Sequence, residues 1–222
     1  MKSLLLSRRG FTAGVLALPF ARPAFGQSAD AVRRAARGLR QLHSILVSHG
    51  DDVVLAEAVR GGGLDRPANI KSGSKSIVAL LLGSAIARGE IKLDARLGDV
   101  APKLIPANAA PGVGAITMED LVTLRAGLDA TSGRNYGAWV QSPNWVSYVL
   151  RRPMIDRPGG RMIYSTGSTH VLGAALATVT GKSLLARERL GGPLKIDVPP
   201  WTRDPQGFYF GGNEMGLTSR AC

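Results

Sequence analysis

Ile70-Lys71-Ser72-Gly73-Ser74-Lys75-Ser76 decides how this chain is read, because a strand-like segment there runs straight into a long apolar helix. A serine and a lysine stand three positions apart in it. Three residues is nearly one helical turn, so a serine at the first helical position and a lysine at the fourth share a face and can touch. The free backbone N–H groups of a helix start also favour negative charge on an alkoxide or oxyanion. Residues 77–87, IVALLLGSAIA, are apolar on every side, which predicts a helix buried in a core. A lysine at the mouth of such a helix is partly desolvated, which favours its neutral amine and suits it to accept a proton from the serine. The same residues also fit an N-cap serine followed by a solvated lysine, and chance alone supplies about one Ser-x-x-Lys in a chain this long.

The chain has 222 residues, 45% of them hydrophobic and 20% charged, enough for one sizeable domain or two small ones. Its single cysteine, Cys222, excludes a disulfide framework and a thiolate metal site. His43, His49 and His170 lie far apart without ligand spacing, so neither a metal nor another cofactor is expected. The formal charge is +12. Part of it comes from Arg33, Arg34, Arg37 and Arg40, which share one side of a helix expected over 30–42, opposite Val32, Ala36, Leu39 and Leu42. No aromatic interleaving or binding motif accompanies them. A solvated face accounts for them, and no nucleic-acid partner is expected.

Residues 1–26 read as an address. Lys2, Arg8 and Arg9 make a basic start, 11–20 an apolar stretch broken by Gly14 and Pro19, and Ala24-Phe25-Gly26 a small-residue cleavage context. Ser7-Arg8-Arg9-Gly10-Phe11 has the form of a twin-arginine signal. The apolar stretch is short for a membrane span. The expectation is export by the twin-arginine machinery to the periplasm, with no stable membrane insertion and a folded part over 27–222.

Beyond the early helix, 44–48 and 53–59 are β-branched runs around a Gly-Asp turn, which predicts a hairpin. Gly61-Gly62-Gly63 follows as a flexible turn without the Lys-Ser/Thr of a phosphate loop. The Ser72 helix is expected to reach about Gly89. Thr117-Met118-Glu119-Asp120 reads as a capped helix start with Gly127 as its stop. Trp139, Trp145 and Tyr148 belong to a polar loop and helix over 132–153, where they are read as packing rather than as a stacking platform. Arg157-Pro158-Gly159-Gly160 is a turn delivering 162–166, and a helix is expected over 168–180 before Gly181. A loop and short strand are expected around 199–213, and residues 215–220 look like another helix beginning. One hairpin cannot cover helices this apolar, so the sequence shows fewer strands than it needs.

Ser72-Gly73-Ser74-Lys75, Tyr164-Ser165-Thr166 and Gly211-Gly212-Asn213-Glu214-Met215-Gly216-Leu217-Thr218 together resemble the serine β-lactamase-like hydrolases. The likeness is strongest to class C β-lactamases, related esterases and 6-aminohexanoate-dimer-type amide hydrolases. Segments 116–128 and 179–183 agree in order, and the resemblance covers about residues 40–220. It implies an α+β, β-lactamase/transpeptidase-like fold in which an antiparallel sheet flanked by helices joins a helical subdomain. Residues 27–100 and 197–222 would supply the α/β part and 101–196 the helical subdomain. The resemblance makes Ser72 the nucleophile that forms an acyl-enzyme, and Lys75 and Tyr164 the groups sharing general-base and general-acid work. The Ser72 N–H would then supply half of an oxyanion hole.

The substrate implied is a small-molecule ester, amide or β-lactam. Thr166 occupies the substrate-binding position where such families usually carry Asn; a hydroxyl cannot offer an amide, which favours esters or amides of other shape over β-lactams. The Lys-Thr-Gly or His-x-Gly segment of a late strand has no counterpart here. That predicts a C-terminally truncated chain with an incomplete sheet and weak or no turnover. The alternatives are a non-catalytic fragment or a penicillin-binding, cell-wall-binding relative. A Ser72–His170 pairing is disfavoured because no Gly-x-Ser-x-Gly elbow occurs.

Overall fold

The computed structural model describes residues 25–181 and 185–221. The export-signal reading falls almost wholly outside them. The chain divides into two compact units, Met1–Leu42 and His43–Cys222. Within the first, helix α1 (Phe25–Gly38) starts earlier than the expected 30–42 and ends earlier, with Arg33 paired to Asp30 at 2.8 Å.

The second unit opens with the expected hairpin. Strands β1 (Ser44–His49) and β2 (Asp52–Ala58) pair antiparallel, with Ser44 opposite Ala58 and a bulge between Val47 and Ser48. Gly50 turns the chain with a φ of 60°, a left-handed conformation that glycine adopts at no steric cost. The remaining elements are β3 (Ala68–Asn69), α2 (Ser74–Ala87), α3 (Leu97–Val100), α4 (Met118–Val122), α5 (Tyr136–Val140), α6 (Trp145–Leu150), α7 (Thr166–Thr180), α8 (Gly192–Leu194) and β4 (Gly216–Leu217).

Helix α4 begins as its sequence predicts. The Thr117 hydroxyl accepts from the Asp120 N–H at 3.1 Å and the Asp120 carboxylate accepts from the Thr117 N–H at 2.9 Å, a reciprocal capping box. It stops at Val122, well before Gly127, because Leu124 takes a left-handed φ of 59°. Helix α7 starts two residues before the expected Ser168. Its first N–H groups are satisfied from a distant loop: Thr166 N–H donates to Ser132 Oγ at 2.9 Å, and Gly167 N–H to Thr131 Oγ1 at 2.9 Å. Any Cβ at Gly167 would overlap Thr131 and Val149, so glycine is what lets the loop close on the helix end. Gly181 terminates α7 with a φ of 67°.

Two further expectations fail. Residues 215–220 do not begin a helix; β4 pairs antiparallel with β3, Ala68 opposite Leu217 and Asn69 opposite Gly216. Ile70 N–H extends the pairing by donating to the Met215 carbonyl at 2.9 Å. Met215 and Leu217 are buried while Gly216 between them is half-buried, a period of two that a strand satisfies and a helix does not. Helix α2 is also not buried on every side. It buries Ser74, Val78, Leu81, Leu82 and Ala85, but Leu80 is 55% exposed and lines an open apolar groove with Ile77, Leu194 and Ile196. Leu217 of β4 and Met215 just before it line the same groove.

The centre of the core is α7. Val171, Leu172, Ala174, Ala175 and Leu176 are buried and join α2, α4 and α6 in one hydrophobic cluster. Trp139 and Trp145 pack in it as expected, while Tyr148 is half-buried at its edge.

Candidate active site

Ser72 lies in a single 3₁₀ turn, Lys71–Gly73, immediately ahead of α2, and Lys75 is the second residue of that helix. A 3₁₀ turn has three residues, so the serine and lysine stay on one face although Ser72 precedes the α-helix proper. Lys71, just before the serine, has a φ of 53°, a conformation that costs a non-glycine residue about 1–3 kcal/mol. Neighbours hold it there: its N–H donates to Asn69 Oδ1 at 2.7 Å, and Asn69 Nδ2 donates to Glu214 at 2.9 Å. Glu214 is itself left-handed, with a φ of 61°, and its carboxylate lies 3.5 Å from the Lys71 ammonium. The Ser72 turn and the 211–215 loop are thereby tied together, and the β3–β4 ladder continues from the same contact.

Lys75 Nζ reaches three acceptors: Ser72 Oγ at 3.3 Å, Thr166 Oγ1 at 3.3 Å and the Gly212 carbonyl at 2.8 Å. An ammonium has three N–H donors, and here each has an acceptor. The Tyr164 hydroxyl donates to Ser72 Oγ at 2.7 Å, and Lys75 Nζ stands 4.9 Å from the centre of the tyrosine ring. The tyrosine is held below the usual phenol range chiefly by its hydrogen bond with Ser72; burial opposes this, and the hydrogen bond and the charge of Lys75 each add a lesser lowering. Ser72 is exposed and Tyr164 is 46% exposed, so both face solvent.

The structure brings all four sequence-predicted residues together. Thr166 differs from the expectation in its surroundings: it is buried, it is the first residue of α7, and its hydroxyl sits between Lys75 and Ser132 Oγ, which is 3.0 Å away. Sequence reasoning missed Ser132 and the Gly212 carbonyl. It also missed the partners of His170, which is fully buried with Nε2 2.9 Å from Asp204 Oδ2 and Nδ1 accepting from the Gly211 N–H at 3.3 Å. Both ring nitrogens are engaged, so neither is turned toward Ser72. Among the described residues no group of three or more His, Cys, Asp or Glu could hold a metal ion.

The Beta-lactamase family model matches residues 32–209. The chain belongs to that family. Solved structures agree in fold. A protein from Bacillus anthracis assigned as a 6-aminohexanoate-dimer hydrolase is 19% identical, with a TM-score of 0.66 over 80% of this chain and 51% of its own. EstCE1, a hydrolase with promiscuous acyltransferase activity, is 16% identical, with a TM-score of 0.72 over 89% of this chain and 70% of its own. A D-stereospecific amidohydrolase from Streptomyces is 19% identical, with a TM-score of 0.66 over 87% and 70%. The chain therefore spans about half the length of the first of these and 70% of the other two. None of the curated proteins matches it. The fold is β-lactamase/transpeptidase-like and α+β, as the resemblance implied.

Proposed function

We propose that this Beta-lactamase-family protein is a serine hydrolase that cleaves a small ester or amide through an acyl-enzyme on Ser72. The observation that carries the reading is the convergence of Tyr164 Oη at 2.7 Å and Lys75 Nζ at 3.3 Å on one exposed serine oxygen. Ser72 Oγ attacks the substrate carbonyl carbon and gives its proton to Tyr164, whose phenolate form Lys75 favours by charge. The Ser72 N–H is the candidate donor to the oxyanion, a contact of a kind worth about 3–4 kcal/mol to the transition state. As the tetrahedral intermediate collapses, the carbon–leaving-group bond breaks and the proton returns from Tyr164 to the departing alcohol or amine. Water then attacks the acyl-enzyme carbonyl and gives a proton to Tyr164; the carbon–Oγ bond breaks, the acid leaves and Tyr164 returns the proton to Ser72 Oγ.

Thr166 belongs to this site as the short hydroxyl in place of the family's amide, and its burial against Lys75 supports substrates other than β-lactams. The twin-arginine pattern at Arg8 and Arg9 supports action in the periplasm, which Arg8→Lys with Arg9→Lys followed by cell fractionation would check. The chemistry is tested by labelling the full chain with a fluorophosphonate probe beside Ser72→Ala, together with matched ester, amide and β-lactam assays. Covalent labelling lost in Ser72→Ala, with the protein still folded, is the expected result. A folded wild-type chain whose Ser72 takes no label overturns the reading and leaves the cell-wall-binding alternative.

A further inference from the structure

The chemistry above makes no use of His170 and Asp204, although both side chains are wholly buried. A buried carboxylate is costly unless hydrogen bonds fill its lone pairs. Asp204 has them: Oδ1 accepts from the N–H groups of Gln206 at 2.9 Å and Phe208 at 2.8 Å, and Oδ2 faces His170 Nε2 at 2.9 Å. The imidazole is enclosed by Trp139, Trp145 and Phe210, with ring centres 5.4–5.9 Å away. Because Nδ1 accepts from the Gly211 N–H, the ring proton belongs on Nε2, where the Asp204 carboxylate receives it. The carboxylate thus selects the tautomer, and the tautomer decides whether Gly211 has an acceptor.

Gly211 and Gly212 carry this selection to Lys75. Gly211 lies so close to α7 that a Cβ would come 2.7 Å from the Thr169 carbonyl oxygen and 3.0 Å from His170 Cα. Gly212 follows with a φ of 95°, and a Cβ on it would stand 3.2 Å from Lys75 Cγ. Its carbonyl is the nearest of the three acceptors around the Lys75 ammonium. His170 thus anchors the loop at Gly211, beside the bonds of Phe210 to Thr202 and Trp201 and of Asn213 to Tyr136, and the Gly212 carbonyl is its contact with Lys75.

We propose that His170 and Asp204 form a positioning pair for Lys75, holding the Gly212 carbonyl where it aims the ammonium at Ser72. The effect on rate rests on the hydrolase reading; the effect on the position of Lys75 does not. In the full chain, the Lys75 ¹³Cε resonance, the imidazole ¹⁵N resonances and the rate of fluorophosphonate labelling at Ser72 test it in four variants.

In Asp204→Asn the amide oxygen keeps the two backbone donors, so its NH₂ faces Nε2 and drives the ring proton to Nδ1, against the Gly211 N–H. The expected results are a reversed ¹⁵N tautomer pattern, a displaced Lys75 resonance and labelling slowed about tenfold. His170→Asn places an amide oxygen near the Nδ1 position; it should keep the wild-type Lys75 resonance and a labelling rate within about twofold, whatever its melting temperature. His170→Leu lacks any acceptor and should behave as Asp204→Asn does, and it stands in should that variant fail to fold. An unmoved Lys75 resonance in folded Asp204→Asn, or equal behaviour of His170→Asn and His170→Leu, overturns the proposal. Should the wild type take no label, the hydrolase reading fails while the Lys75 resonance still decides the positioning role. Asp204→Gln, too long for the cavity, serves as the control for general loosening: it should lower stability, and a Lys75 resonance that merely follows the unfolded fraction across all variants also counts against the pair.

Discussion

The surroundings of Lys75 differ on its two sides. Toward solvent it meets Ser72 and Tyr164, both exposed. Toward the core it meets Thr166 and the Gly212 carbonyl, behind which stand His170, Asp204 and the aromatic cluster, closed to water. Groups of the first kind can change protonation and meet a substrate with little disturbance of packing. Groups of the second kind have every polar atom committed, so altering them first costs stability. The difference shows that Lys75 joins an exposed pair of hydroxyls to a buried, fully hydrogen-bonded support.

The largest expected effect lies on the buried side. Trp139 is fully buried, its ring centre lies 5.4 Å from those of Trp145 and Phe210, and its Nε1 donates to the Trp145 carbonyl at 3.1 Å. Trp139→Ala should cost about 3–5 kcal/mol of folding stability, read by chemical denaturation. A loss below about 1 kcal/mol would mean that the core behind Lys75 repacks freely, and the contrast between its two sides would not hold.

Tyr164→Phe probes the exposed side in the opposite sense. It should slow acyl transfer to Ser72 by about 10²–10⁴-fold, the usual worth of a positioned proton-transfer group. Folding stability should move by no more than about 0.5 kcal/mol. The lowered pKa of the phenol adds a pH signature. A depressed folded value stabilises the protein above the ordinary tyrosine range, near 10.0, and that contribution is lost as pH falls through the folded value. Ultraviolet titration of wild type against Tyr164→Phe should place the midpoint below 10.0, and Ser72→Ala should raise it, since the Ser72 hydrogen bond is the leading cause. A midpoint unchanged by Ser72→Ala would detach the tyrosine from the serine.

What the sequence made legible follows the same division between local and distant causes. The hairpin and the α4 capping box were readable because each depends on residues a few positions apart: the Gly-Asp turn between β-branched runs, and Thr117 with Asp120. The start of α7 was misplaced because its caps, Thr131 and Ser132, come from some 34 positions upstream. The β3–β4 ladder left no periodic signal, being two residues long, and the helix expected over 215–220 filled the gap. Ser72 and Lys75 could be paired from spacing alone, whereas Tyr164 joined them only through the family resemblance. His170 and Asp204 are single residues without a motif. Only the fold brings them together.

The smallest expected effect separates the two faces of α2. Leu82, 2% exposed, points into the core, while Leu80 is 55% exposed on the open groove. Leu82→Ala should cost about 2–5 kcal/mol, because a cavity is left among atoms that relax only partly. Leu80→Lys removes little apolar area from contact, and a lysine can lay its stem along the groove with its charge in water, so the change should stay within about 0.5 kcal/mol. Denaturation of the two variants side by side measures both. If Leu80→Lys proved as costly as Leu82→Ala, the outer face of α2 would be covered in solution, and the helix that carries Lys75 would belong on the buried side of the comparison along its whole length.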